Sequence, residues 1–184
     1  MKATKVRQVM VPLSDYAVVS ENDSLANAVK ALKQAQSDNK FLVKHRAVLA
    51  FDSNNRITGK LSIFDILKAL EPKYRQFERS DQDGSVGLSR FGLNQEFLNS
   101  LLDHYDLWDE SLEELVRKAS DTKVKDVMYT PGSGEYVDAD SPLAEAVHRF
   151  LLGCHQALLV LENDEVVGIL RLTDLFELVS SMIE

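Results

Sequence analysis

Two aspartates stand at matching places in a sequence that repeats itself. Gly59-Lys60-Leu61-Ser62-Ile63-Phe64-Asp65 returns as Gly168-Ile169-Leu170-Arg171-Leu172-Thr173-Asp174. An aspartate in the first turn of a helix is favoured by the helix macrodipole and stays ionised. One such carboxylate accepts both hydroxyls of a ribose, or it caps the helix and needs no ligand. Asp65 and Asp174 are therefore candidates for a sugar diol. Ser62 offers a hydroxyl to a phosphate or a ribose, or it is an ordinary strand serine. Arg171 stands in the place of that serine. Its guanidinium grips a phosphate as a charged fork, or it pairs with a surface carboxylate. This substitution makes the two halves chemically unequal.

Other reactive side chains lie near these motifs. His45-Arg46 precedes the apolar run Ala47–Phe51, and His155-Gln156 precedes Ala157–Leu161. Both histidines read as solvated strand-edge residues. They make poor metal sites, because no second and third ligand converge on them in sequence. The chain has no Gly-x-Ser-x-Gly elbow, no Gly-rich phosphate loop and no Cys/His cluster, so no catalytic constellation is expected and the chain is not read as an enzyme. Asp103-His104 and Asp109-Glu110 read as a solvated helical face.

The elements that position these groups also occur twice. Lys5-Val6-Arg7-Gln8-Val9-Met10 returns as Lys123-Val124-Lys125-Asp126-Val127-Met128. Leu25-Ala26-Asn27-Ala28-Val29 returns as Leu143-Ala144-Glu145-Ala146-Val147. The first copy carries extra residues between Val29 and Gly59. Tyr16–Val19 and Tyr136-Val137 read as short strands. Asp23-Ser24 and Asp140-Ser141-Pro142 read as helix starts, with Pro142 at an early helical position. Leu25, Ala28, Val29 and Leu32 form one apolar stripe, as do Leu143, Ala146, Val147 and Phe150. Asp52–Asn55 and Asn163-Asp164 are hairpin turns between strands. Each copy reads as strand, helix, strand, strand, helix.

The middle belongs to neither copy. Residues 78–90 read as a mobile linker. Phe97, Leu98, Leu101, Leu102 and Tyr105 recur helically, and Ser111-Leu112-Glu113-Glu114 has the form of a capping box. Two helices are expected between the copies, packed onto the rest through Trp108. The reading is repeat one over 1–71, a helical linker over 72–122 and repeat two over 123–184.

Composition narrows the function. The 184 residues carry a formal charge of −8. With no basic run, this disfavours nucleic acid, because binding there rests on neutralising phosphates. No apolar run approaches the roughly 18 residues that span a bilayer, so no membrane segment is expected. No apolar stretch follows the basic N-terminal residues, so no signal peptide is expected. The single cysteine, Cys154, fits a reducing cytoplasm and sits in an apolar stretch, which reads as a small core residue.

In order and duplicated, these pieces resemble the cystathionine β-synthase (CBS) domain family, whose members occur as tandem pairs called Bateman modules. The family pattern opens with a Val-Met element and closes with Gly-x-hydrophobic-Ser/Thr-x-x-Asp. Gly59, Leu61, Ser62 and Asp65 match that ending in full; Gly168, Leu170 and Asp174 match it with Arg171 as the departure. The resemblance covers residues 5–71 and 123–184. It implies an α/β (α+β) fold of two βαββα repeats packed about a pseudo-twofold axis, with the helical insert between them. It also implies an adenosine-containing ligand in the clefts: AMP, ADP, ATP or S-adenosylmethionine, with no cofactor required. Ser62 and Asp65, and Arg171 and Asp174, would then hold ribose or phosphate. Val11-Pro12 and Tyr129-Thr130 would line the adenine pocket, and Arg46 and His155 would sit near the phosphates. A regulatory homodimer that signals through its own mate or an unidentified protein partner is the expected mode of action. The alternative is a ligand-free interaction module that uses the insert.

Overall fold

The computed structural model describes residues 4–37, 44–73, 107 and 109–183. Two sheets are formed, one per repeat. In the first, β2 (Val18–Ser20), β3 (Ala47–Phe51) and β4 (Ile57–Ser62) lie in the order β2-β3-β4. β2 runs parallel to β3, and β3 antiparallel to β4. In the second, β5 (Tyr136–Asp138), β6 (Ala157–Glu162) and β7 (Glu165–Arg171) repeat this arrangement. Helices α1 (Leu25–Ser37) and α2 (Ile63–Leu70) serve the first sheet, α5 (Leu143–Gly153) and α6 (Leu172–Ile183) the second. The expected βαββα order is present in both copies.

The repeats exchange their leading segments. β1 (Val11–Pro12) does not join the first sheet but extends the second, pairing antiparallel with β7 through Val11↔Ile169 and Pro12↔Gly168. Pro12 has no N–H to give a ladder, and this short edge position tolerates it. The counterpart is a bridge from Tyr129 to Lys60 of β4, with both backbone hydrogen bonds at 2.9 Å. Further contacts repeat the exchange. The first N–H of α5 donates to the Thr4 carbonyl, and the first N–H of α1 to the Thr122 carbonyl, each at 2.8 Å.

This exchange corrects one reading. Pro142 is not inside α5 but at its N-cap, with φ −57° and ψ 140°. Ser141 turns its hydroxyl to the Glu145 carboxylate at 2.7 Å. The orphan helical N–H of Leu143 already has its partner in Thr4, so no serine cap is needed.

The core has three parts. One lies in the second repeat, around Leu158, Val160 and Leu170, and takes in Val6. One lies in the first, around Val48, Ala50 and Leu61, and takes in Val124. The third joins the sheets: Val11, Tyr16, Leu49, Leu159 and Ile169. Each repeat thus buries a valine from the other's leading segment.

The insert is partly described. α3 (Leu112–Ser120) starts at the expected Ser111, whose hydroxyl accepts from the Glu114 N–H at 3.3 Å. It packs on α1 and α2, and buries Leu115 and Ala119. α4 (Val124–Val127) follows. The expected helix over 94–105 and the contact of Trp108 lie outside the described residues. Cys154 is exposed, not buried. It is the left-handed C-cap of α5, with φ 52°, at the end of an apolar pair, Leu151 and Leu152, that itself faces solvent.

Candidate functional site

Strand alternation builds the site. In β4, Gly59 and Leu61 are buried toward the helices, so Lys60 and Ser62 share the opposite face. In β7, Leu170 takes the core, and Ile169 and Arg171 face the other repeat. Ala47 pairs with Ser62, and Ala157 with Arg171. Small residues at both places leave room between the sheets. The result is a cavity of about 350 Å³. Its wall takes Tyr16, Lys44, Arg46, Ala47, Lys60, Ser62, Ile63 and Phe64 from the first repeat, and Gln156, Ala157, Ile169, Arg171 and Thr173 from the second.

The two halves of the cavity close their helices differently. Ser62 caps α2: its Oγ accepts from the Asp65 N–H at 3.2 Å. The Asp65 Oδ2 accepts from the Ser62 N–H at 2.8 Å and from the Ser62 hydroxyl at 2.6 Å. Asp65 therefore stands one hydrogen bond behind the cavity wall, and its Oδ1 has no partner among the described residues. In the second half, Arg171 takes the whole carboxylate. Its Nε donates to the Asp174 Oδ2 at 2.6 Å, and its second nitrogen to Oδ1. The pair is nearly buried, with side chains 9% and 14% exposed.

A further ion pair anchors Lys60 of the cavity wall. Glu135, 3% exposed, accepts from Lys60 and from the Tyr129 hydroxyl, each at 2.5 Å, and from the Gly132 N–H at 3.2 Å. The Lys60 ammonium also lies 5.0 Å from the centre of the Tyr129 ring. Burial pushes the Glu135 carboxyl up, but the bonds from Lys60 and Tyr129 outweigh it and hold its pKa below the ordinary value. The bond to Glu135 pushes the Tyr129 phenol up to about 12. Tyr16, also in the wall, is raised to about 12, chiefly by burial, and its ring meets His45 edge-on at 4.5 Å, so His45 is buried at 2% exposure and not solvated as expected.

The charges sum simply. Lys60 is matched by Glu135 and Arg171 by Asp174. Exposed Lys44 and Arg46 also line the cavity, and among the described residues no carboxylate does. Lys44 donates to the Gln36 carbonyl, which is neutral. The cavity therefore combines an apolar wall with exposed cations. Among the described residues no cluster of His, Cys, Asp or Glu has the makings of a metal site, and no helix is long and apolar enough to cross a membrane.

Of the candidates from sequence, Ser62, Arg171 and Arg46 line the cavity and Asp65 and Asp174 back it. Val11 is buried in the contact between the sheets, and Pro12 is exposed on the sheet edge. Tyr129 faces Glu135, and Thr130 is exposed. His155 lies against the backbone of Gly153 at the end of α5. None of these five lines the cavity. The structure adds Lys60, Tyr16, Gln156 and Glu135, which no motif marks as site residues. Lys60 and Ser62 are two apart in a strand, so alternation alone would have added Lys60.

Comparison with known proteins agrees with this architecture. A family model for the CBS domain matches residues 6–72 and 124–181. No match was found among curated proteins. Among solved structures, CBSX2 in complex with AMP is 18% identical, with a TM-score of 0.59, covering 98% of each chain. A CBS domain-containing protein of unknown function from Kribbella flavida is 19% identical, with a TM-score of 0.61, covering 97% of this chain and 99% of that one. A putative acetoin utilization protein, AcuB, from Vibrio cholerae is 18% identical, with a TM-score of 0.60, over 99% of this chain and 94% of that one. With both repeats matched and their sheets packed around a common cavity, this chain belongs to the CBS domain family as a tandem pair.

Proposed function

We propose that this CBS pair is a non-catalytic regulatory module that senses an adenosine-containing ligand in the cavity between its repeats. The observation that carries the reading is the cavity itself, built from both repeats with apolar plates and polar groups. Its volume, about 350 Å³, falls within the roughly 300–1,000 Å³ common for small-molecule sites. Ala47, Ala157 and Ile169 suit the face of a base. Ser62, backed by Asp65, suits the ribose, and Lys44 and Arg46 suit phosphate. The fold shared with a protein crystallised with AMP supports the same class. The charge of Lys44 and Arg46 favours AMP, ADP or ATP over the sulfonium of S-adenosylmethionine.

Signalling has a physical route. Phe64 lines the cavity yet is 75% exposed, beside exposed Leu67 on α2. Thr173 lines it one turn before Phe176, which opens an exposed apolar row, Phe176, Val179 and Ile183, on α6. A ligand that prefers one setting of these helices changes what they present to a second copy, giving a ligand-responsive homodimer. The reading places the protein in the cytoplasm, where exposed Cys154 stays reduced.

Calorimetry of the full chain with AMP, ADP, ATP and S-adenosylmethionine tests this. At least one nucleotide is expected to bind, and Asp65→Ala to weaken it tenfold or more. Absence of heat and of any melting shift at millimolar ligand overturns the reading. A second reading, a ligand-free interaction module, is favoured by exposed Leu112 and Val116 on α3. It predicts that no nucleotide co-purifies, and that Leu112→Glu with Val116→Glu abolishes partner capture.

A further inference from the structure

The two halves of the cavity descend from the same motif, and their differences concern one side chain. At Asp65 the cap uses Oδ2 and leaves Oδ1 without a partner among the described residues. At Asp174 both oxygens face Arg171, and the contact is bidentate. The backbone N–H of residue 171 donates to the carboxylate at 3.3 Å, as that of Ser62 does at 2.8 Å, so the two helix starts share one frame. The guanidinium is what the second half adds. It lies in the cavity wall, 9% exposed, where the first half has a small hydroxyl.

We propose that Arg171 determines how many ligands the cavity takes and which way they lie: it fills the Asp174 half as an internal counter-ion, so each chain holds one ligand, its hydroxyls toward Ser62 and Asp65. This rests on the reading that the cavity binds an adenosine compound. A diol needs two acceptor sites on one carboxylate, and the guanidinium and backbone N–H of Arg171 leave Asp174 with about one of its roughly four. A ligand that displaced it would break a nearly buried, bidentate ion pair, which is strongly unfavourable. The Asp174 half therefore offers a ligand the paired guanidinium of Arg171 and the apolar Ala157 and Ile169, and no carboxylate able to take both hydroxyls of a ribose. The opposite half keeps the acceptor.

Titration calorimetry of the full chain with AMP, ADP and ATP, read as sites per chain, tests the proposal. The native chain is expected to bind one nucleotide per chain. Arg171→Ser and Arg171→Thr are expected to bind two. Both recreate the Ser62–Asp65 arrangement that already closes α2 in this protein, so the helix start keeps its cap. A circular dichroism melt confirms folding, and the threonine variant stands in for the serine one where that melt is abnormal. Asp65→Ala added to Arg171→Ser is expected to return the count to one. Two sites in the native chain, or one site in folded Arg171 variants, overturn this inference and leave the sensing reading intact. No binding by native or variant chains overturns both. Binding by the variants alone supports the role of Arg171 and overturns nucleotide sensing by the native chain.

Discussion

At the scale of single residues, the most consequential group outside the motifs is Glu135. It is a nearly buried carboxylate joined to a half-buried ammonium 75 residues earlier in the chain. Removing one partner of such a pair costs far more than the pair itself is worth, because the other charge is stranded. Glu135→Gln is expected to destabilise the protein by about 3 kcal/mol, read from the denaturation midpoint in urea. Tyr129→Phe loses one hydrogen bond and is expected to cost about 1 kcal/mol. The pH dependence has a defined sign. The folded carboxyl titrates below its ordinary value of 4.5, so its contribution is complete above that pH and is lost as pH falls through the folded value. The gap between native protein and Glu135→Gln should narrow below pH 4.5. Tyr129 behaves oppositely. Its phenol is raised from 10 to about 12, so its contribution is complete below pH 10 and lost as pH rises through 12. Lys60 and Glu135 show where sequence reading stops. The alternation that sends Lys60 to the cavity face is legible, whereas a partner 75 positions away is a product of topology.

At the scale of elements, the glycines of the repeated motif are sites of close approach. A methyl group on Gly168 would sit 2.6 Å from the Val11 carbonyl oxygen and 3.0 Å from the Met10 sulfur. On Gly59 its three nearest neighbours would all be atoms of the Met128 side chain. Backbone held in a strand pair cannot retreat, while a methionine can change rotamer. Gly168→Ala is therefore expected to cost about 3 kcal/mol and Gly59→Ala about 1, compared by thermal denaturation. Most elements were readable in advance, because Leu61 lies between polar Lys60 and Ser62, Ala157–Leu161 is continuously apolar, and Leu25, Ala28 and Leu32 recur helically. The misses have physical reasons. Leu151 and Leu152 make the stretch before Cys154 apolar, yet both face solvent, so an apolar run did not mean a core there. Pro142 moved to the N-cap because Thr4, from the far end of the chain, supplies the acceptor a helix start needs. The amphipathic face of α3 announced that it would pack, but not that its support would be α1 and α2.

At the scale of the whole molecule, neither repeat is complete by itself. Val6 belongs to the core of the second and Val124 to that of the first. Calorimetry is expected to show one unfolding transition for the chain, with equal calorimetric and van't Hoff enthalpies. Two separable transitions would mean that the shared contacts are weak. The candidate site was legible as a pair of motifs, while the cavity depended on how the sheets face each other. Ala47 and Ala157 leave space only because both face the same cavity. The exchange of leading segments has one more implication. The halves are joined as arm-swapped protomers are, each wearing the other's sleeve, so covalent continuity supplies high local concentration and the crossed arms supply geometry. A single repeat of this kind would have to borrow its missing arm from a second molecule. The tandem chain is thus a dimer made permanent, free to let its two halves diverge, as Ser62 and Arg171 have done.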